Sequence, residues 1–551
     1  MFASVAQVKF EKIFPQFFSC LKAGYSKEIL LKDLFAGLSI GIISLPLVMA
    51  FSIAAGLPPE RGLFTGIVAG FFISFLGGSR VQIGGPTGAF AVIIYGVVER
   101  HGYEGLVLAT ILAGILMIGM ALTNAGALLK FIPYPVVVGF TAGIALTIFS
   151  TQIKDFFGLP ISKLPAEFLE KWSLYVEHYT GWNEWAFGLA LVSLILIFIL
   201  RKKYPQIPGA VVVVILGTFI AYLLDFPLET IQTKFGGIPS TLPSPSFPNF
   251  TFAKLQSVAP DAITIALLSS IESLLSAVVS DKMTGFRHHS STELFAHGTA
   301  NIFSALFGGI PATGAIARTA ANARLGATTP LAGIIHAITL LILMFFFSMA
   351  AARIPLAILA AVLMFVAWNM SEIKHIVMIC KSSKSDIIML FVTLLLTVFL
   401  DITVAVEIGM MLAAFLFMKK MALNTKIYPT ELSEGDEPVI LKKHIPNDVI
   451  IYEINGPLFF GISDALQQQF HSLNPKPRSF IFRLNKSPLI DASGIQALQE
   501  IASSCKQMKI QFLISEIKEH NLKLFHSTGL SKSALICKTL HEALQHTHID
   551  K

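Results

Sequence analysis

Apolar runs long enough to cross a bilayer recur along the first three quarters of the chain, and this recurrence constrains the fold more than any other feature. A hydrocarbon core of about 30 Å takes about 20 apolar helical residues. Segments of this kind fall at 33–56, 61–77, 86–98, 105–123, 133–150, 185–200 and 208–224, and, after a polar gap, at 261–280, 293–307, 315–327, 329–350, 355–370, 386–401 and 403–418. Only 14% of the 551 residues are charged, against about 25% in an ordinary soluble domain, which speaks against a soluble cytosolic enzyme. The expected fold class is an all-α polytopic membrane domain of about 14 spans, followed by a small α/β domain. Its expected parts are an N-terminal segment at 1–32, a membrane domain at 33–420, a linker at 421–440 and a C-terminal domain at 441–551.

Threading the chain through these spans sorts its basic residues. One side receives Lys9, Lys12, Lys22, Lys27, Lys32, Arg80, Lys130, Arg201, Lys202, Lys203, Lys282, Arg287, Lys374, Lys381, Lys384, Lys419 and Lys420. The other receives Arg61, Arg100, Lys154, Lys163, Lys171, Lys234, Lys254 and Arg353 on much longer loops. The asymmetry places both termini in the cytoplasm and the protein in the inner (plasma) membrane, with Tyr179, Trp182 and Trp185 as an outer aromatic belt. No small-residue cleavage pattern follows the N-terminal lysines, so no cleaved signal peptide is expected. Phe10, Ile13, Phe14, Phe17, Phe18 and Leu21 recur at helical spacing there and fit either a helix lying on the inner surface or one packed on the membrane domain.

Gly84-Gly85-Pro86-Thr87-Gly88-Ala89 is echoed by Gly308-Gly309-Ile310-Pro311-Ala312-Thr313-Gly314-Ala315, and Asp33 and Asp261 head the first and eighth segments at nearly the same offset. The halves 33–224 and 261–420 therefore read as repeats. Because seven is odd, the second runs through the membrane in the opposite direction, an inverted repeat. Glycine and proline at bilayer depth suit broken helices that line a cavity. Pro86 is expected in the first turn of one half-helix, with a second terminus near Ala317. Two such N-termini face to face make a positive potential that favours an anionic ligand. The alternative is ordinary glycine packing between spans.

Arg318 sits at the start of the second half-helix, where a buried charge calls for a partner or a substrate. Glu272, eleven residues after Asp261, falls about 16 Å along its helix, near mid-membrane, among Ser269, Ser270, Ser273 and Ser276. A carboxyl there can alternate between protonated and charged forms and couple proton or sodium movement to an anion, or it can pair permanently with Arg318. Arg324 reads as a headgroup or topology residue, and His288, His289 and Glu293 as a solvated turn rather than a metal site. Cys20, Cys380, Cys505 and Cys537 have neither disulfide nor zinc spacing, and GxxxxGK[ST] does not occur. No cofactor, metal, ATP hydrolysis or nucleic-acid partner is expected.

In the tail, 449–454, 457–460, 479–484 and 510–515 read as strands, and 463–471 and 493–507 as helices. Asp33 to Leu38, Pro46 with Ala55 to Leu63, Gly85 to Ala89, Arg318 to Asn322 and Thr329 to Gly333 together resemble the sulfate permease (SulP) family of anion transporters, with its C-terminal STAS domain. The total of fourteen spans rests partly on this resemblance. The resemblance implies a core domain moving against a gate domain, a homodimer, and an anion site between half-helices three and ten. That site would be lined by Leu47, Phe51, Gly85, Pro86, Thr87, Gly88, Ala317 and Arg318, with Glu272 as the proton-coupling group. Many members have Gln where Leu47 stands and Ser where Ala317 stands, so two polar contacts are lost. Leu489 to Gly494 resembles the STAS signature. Within it, Asp491 and Ser493 mark a regulatory position, with Ser493 either a phosphorylation site read by a cytosolic partner or simply a helix N-cap.

The expected function is secondary active transport, by proton symport, of a small anion of the C4-dicarboxylate, sulfate or bicarbonate class. A passive anion channel or exchanger, a voltage-responsive membrane protein, a nucleobase carrier of related fold and an anion sensor signalling through the STAS domain are the alternatives. Arg318 and the STAS tail disfavour the nucleobase carrier.

Overall fold

The computed structural model describes residues 13–126, 133–204, 207–248, 251–400, 402–429, 448–471 and 477–548. Lys9, Phe10, Lys12 and Lys130, most of the expected linker (430–440) and residues 441–447 of the expected C-terminal domain lie outside them. The chain divides into two units, Met1–Met410 and Met411–Lys551.

In the first unit α1 (Gln16–Ala23), α2 (Lys27–Ala54) and α3 (Pro59–Leu76) lead to a two-residue strand β1 (Gly84–Gly85). Next come α4 (Gly88–Leu122), α5 (Tyr134–Phe157), α6 (Phe168–Glu177), α7 (Glu184–Lys203), α8 (Gly209–Leu223) and α9 (Ile231–Phe235). The second half repeats this order with α10 (Phe252–Thr284), α11 (Ser290–Leu306), β2 (Thr313–Gly314), α12 (Ile316–Arg324), α13 (Leu331–Ala352), α14 (Leu356–Met370), α15 (Ile373–Ile379) and α16 (Lys384–Phe399). The last helix, α17 (Ile402–Asn424), runs into the second unit. Gly102, at φ 67° and ψ −179°, breaks α4 into a half-helix and a full span. Seven of the described helices are long and apolar enough to cross a membrane, and this is a multi-pass membrane protein.

Packing follows the inverted repeat. Helix α2 lies on α13 as α10 lies on α4, and α3 lies on α13 as α11 lies on α4. Glycine sets the closest approaches: a Cβ on Gly37 would sit 2.5 Å from the Ala332 carbonyl, and one on Gly114 2.6 Å from that of Gly298. Helix α10 starts at Phe252, nine residues before the expected segment, and carries Pro260 inside. Of the two readings of the N-terminal helix, the described part fits packing. Gln16 donates its amide to the Gly77 carbonyl at 2.9 Å, and Phe17 and Phe18 meet Phe75.

The second unit holds a five-stranded sheet in the order β3 (Lys426–Pro429), β4 (Val449–Asn455), β5 (Ser479–Arg483), β6 (Gln511–Ser515), β7 (Leu535–Cys537). Strand β3 is antiparallel to β4 and the rest are parallel, with α18 (Ser463–His471), α19 (Ala492–Gln507), α20 (Glu519–Ser527) and α21 (Leu540–His548) between or after the strands. Two sequence expectations change here. The segment read as linker supplies β3, whose residues 426–429 pair in register with 452–455. Pro457 to Phe460 is not a strand, because a single bridge from Leu458 to Ile490 gives way at once to a turn.

Candidate functional site

Strands β1 and β2 cross antiparallel at the centre of the first unit, with Gly84 opposite Gly314 and Gly85 opposite Thr313. Each strand then runs into a half-helix, α4 or α12, so two helix N-termini converge. Glycine is required at the crossing: a Cβ on Gly84 would lie 2.2 Å from Ile73 Cδ1, and one on Gly314 1.8 Å from Gln82 Nε2. Neither Thr87 before α4 nor Ala315 before α12 caps its helix with a side chain. First-turn amides of both helices are thereby left for solvent or a ligand. Pro86 is not in the first helical turn as expected. The extended stretch continues through Thr87, and Pro86 stands ahead of the cap with its carbonyl turned to Arg318.

Helix α10 supplies the acid. The hydroxyls of Thr87 and Thr313 each donate to the same oxygen, Glu272 Oε2, at 3.0 Å. The serines around Glu272 hold the scaffold: Ser269 donates to the Ala312 carbonyl at 2.9 Å, Ser273 accepts the Gly314 amide at 3.0 Å, and Ser276 donates to Thr319 at 3.0 Å. Arg318 is 4% exposed. Its Nη2 donates to the Pro86 carbonyl, while Nη1 is buried with no hydrogen-bond partner among the described residues. The alternative of a permanent Arg318–Glu272 ion pair is not realised, since each group takes neutral partners. A Cβ on Gly85, at φ +143°, would lie 2.9 Å from Arg318 Nη1, so glycine there lets the guanidinium approach the strand.

The remaining residues expected at the site fall as follows. Phe51 is buried against the start of α4, its Cε1 3.2 Å from where a Gly88 Cβ would be. Leu47 is half-buried one turn earlier on α2, and Ala317 is exposed beside Arg318. Two residues the sequence reading left out matter here: Thr313, and Gln82, whose Nε2 donates to the Ser273 carbonyl at 3.0 Å. Thr313 was accessible through the repeat, as the partner of Thr87.

The elbows after the half-helices are tied across the repeats. Asp33 on α2, fully buried, accepts the amides of Thr328 at 2.8 Å and Thr329 at 3.3 Å ahead of α13. Asp261 on α10 takes Arg100 at 2.7 Å and His101 at 3.3 Å beside the Gly102 break. Two expectations outside the site are corrected. Glu293, read as part of a solvated turn, is wholly buried on α11, with Oε2 3.4 Å from His297 Nδ1, because His289 docks on the Gly78 carbonyl and draws the first turn inward. In the second unit the cap of α19 is Asp491, which accepts the Gly494 amide at 2.8 Å, so Ser493 is not the N-cap and stands inside the first turn.

Comparison with known proteins places this architecture. Residues 30–393 match the sulfate permease family, and residues 441–543 match the STAS domain. YvdB of Bacillus subtilis (strain 168), named as a candidate sulfate transporter, is 39% identical over 92% of this chain and 95% of its own. The bicarbonate transporter BicA of Picosynechococcus is 28% identical over 85% of each chain. The solved transmembrane domain of a cyanobacterial BicA superposes with a TM-score of 0.63 at 28% identity, covering 71% of this chain and 98% of that one. The murine Slc26a9 anion transporter, at 18% identity, shares the fold alone, with a TM-score of 0.86 over 100% of this chain and 96% of that one.

Proposed function

The chain belongs to the sulfate permease family, and from that premise we propose that it is a secondary transporter of small anions, of the sulfate, bicarbonate or C4-dicarboxylate class. The observation that carries the reading is the unpartnered Arg318 Nη1, buried beside two uncapped helix N-termini. A buried cation with an empty donor is costly, and a bound anion supplies the missing acceptor. In this reading Thr87, Gly88, Ala317 and Arg318 face the anion, Phe51 and Leu47 close it off from α2, and Gly85 and Pro86 shape the strand that Arg318 grips.

Glu272 is the coupling group. As a carboxylate it accepts from both Thr87 and Thr313 and so ties the two half-helices together. Protonation weakens that tie, since charge-assisted bonds are the stronger ones. Both termini face the cytoplasm of a plasma membrane, the molecule works as a homodimer by alternating access, and the STAS domain meets a cytosolic partner. Ser493 there is a candidate phosphorylation position, and a phosphate on it would compete with the Asp491 cap for the same first turn.

The test is uptake of labelled sulfate, bicarbonate and fumarate into proteoliposomes with and without an imposed inward proton gradient. Gradient-driven accumulation of one anion is expected, with Glu272→Gln retaining exchange and losing accumulation. Flux that only equilibrates would make the protein a channel or passive exchanger, and binding without flux would make it a sensor.

A further inference from the structure

On the side where the long loops emerge, a cavity of about 310 Å³ opens between α2, α4, α5 and α6, walled by Tyr95, Thr151, Lys154, Lys163, Lys171 and Lys234. A second cavity of about 510 Å³ shares Tyr95, Thr151 and Lys171 with it and reaches Val92 and Ile148. Ile148 Cδ1 is 3.4 Å from where a Gly88 Cβ would be, so the second cavity ends beside the half-helix start. Lys171 therefore stands on a wall common to both chambers.

Its chemistry is unspent. Lys171 is 2% exposed, and among the described residues it has neither a hydrogen bond nor a close ion pair; its ammonium lies 5.9 Å from the centroid of the Tyr95 ring and feels Glu99 through space. Lys154, 7% exposed, donates to the Ser162 carbonyl at 3.2 Å. The carboxylates on the wall are Glu99 and Asp155, and Asp155 is taken by Lys234 at 3.2 Å. Within this first cavity Lys154, Lys163 and Lys171 then stand against Glu99, an excess of about two positive charges in a walled cleft, where fields are focused, and Glu167 lies on the wall of the second cavity.

We propose that Lys171 and Lys154 form a second binding site, an outer capture site for a small doubly charged oxyanion, occupied before the anion moves on to the half-helix termini. A doubly charged ligand neutralises the excess. Burial pulls Lys171 down to about 8 against the opposing pull of Glu99, and an anion beside it would reverse the shift. That the site lies on the outer side rests on the transporter reading; that it binds an anion does not.

Equilibrium binding of radiolabelled sulfate to the purified full-length protein separates the two. The wild type is expected to bind sulfate at two sites; Lys171→Gln and Lys154→Gln each lose one of them, and Lys171→Arg keeps both, which excludes a packing effect. Arg318→Gln loses the other. If Lys171→Gln and Lys154→Gln both bind as much sulfate as the wild type, or if the wild type binds none, the capture site is refuted. Loss of a site in the lysine variants with none lost in Arg318→Gln would leave the capture site standing and overturn the central one.

Discussion

The two half-helix starts are built on one backbone plan and carry different chemistry. Thr87 and Thr313, 226 residues apart, present their hydroxyls to one carboxylate oxygen, and the same offset sets Gly88 against Gly314. It also sets Arg318 against Val92, while the offset that mirrors Asp33 onto Asp261 sets Glu272 against Ser44. Repeat two thus holds both charged groups, while repeat one meets them with apolar surface from Phe51, Leu47 and Val92. A symmetric pair of half-helices makes a cradle for an anion from either repeat. The asymmetry of charge decides which wall grips.

The glycines give the largest expected difference between the walls. A Cβ at Gly314 meets Gln82 at 1.8 Å and the Ser273 backbone at 3.1 Å, and Gln82 is pinned by its bond to Ser273. Gly314→Ala should cost about 3 kcal/mol through overpacking and a lost buried hydrogen bond. At Gly88 the neighbours are Met370, Phe51 and Ile148 side chains at 3.1 to 3.4 Å, which can give way. Gly88→Ala should leave the melting temperature near wild type and weaken the anion by about tenfold, or about 1.4 kcal/mol. Melting and sulfate titration of the two variants check this, and equal loss of stability would remove the distinction.

The mirrored elbow aspartates sharpen the comparison at smaller cost. Asp33→Ala strands the buried Thr329 amide and the half-buried Thr328 amide and should destabilise by about 2 kcal/mol, with no dependence on salt. Asp261 faces Arg100, which is 43% exposed. Asp261→Ala should cost about 1 kcal/mol at most, shrinking as salt rises. Melting curves across an ionic-strength series separate the two.

The last effect concerns the outer chamber. Lys171 loses its charge as pH rises through about 8, so sulfate affinity at that site should fall by about tenfold between pH 7 and pH 9. Glu99 and Tyr95 on α4, Lys154 and Asp155 on α5, Lys163 in the loop and Lys234 on α9 face the same space, and Arg100 on α4 and Glu167 ahead of α6 face the second chamber that Lys171 also walls. Lys171→Arg keeps its charge over that range and isolates the contribution of Lys171. An identical pH profile in that variant would assign the effect to another of these groups.

Much of this plan was legible in the sequence, because glycine and proline at membrane depth and a buried arginine are expensive and admit few explanations. Gly85, Thr87, Glu272 and Arg318 all fall at the crossing. What escaped depends on partners that a single strand of text does not show. Thr313 pairs with Thr87 through the repeat, but the bond it shares with Thr87 to Glu272 is not visible there. Glu293 looked solvated among polar neighbours and is buried by a close approach of backbone at Gly78. Ser493 looked like a cap, but Asp491, two residues earlier, reaches the Gly494 amide first. Strand β3 follows a long helix and pairs with residues more than twenty positions on, so local pattern gave it no signature.

The most direct test of the account is a paired measurement on Arg318→Met, sulfate affinity together with thermal midpoint. If the guanidinium exists to meet an anion, affinity at the central site falls by at least about a hundredfold, while the midpoint stays level or rises as a buried, half-satisfied cation is removed. Affinity within threefold of wild type, or a midpoint that drops by several degrees with anion binding intact, would make Arg318 a structural tie and contradict the account.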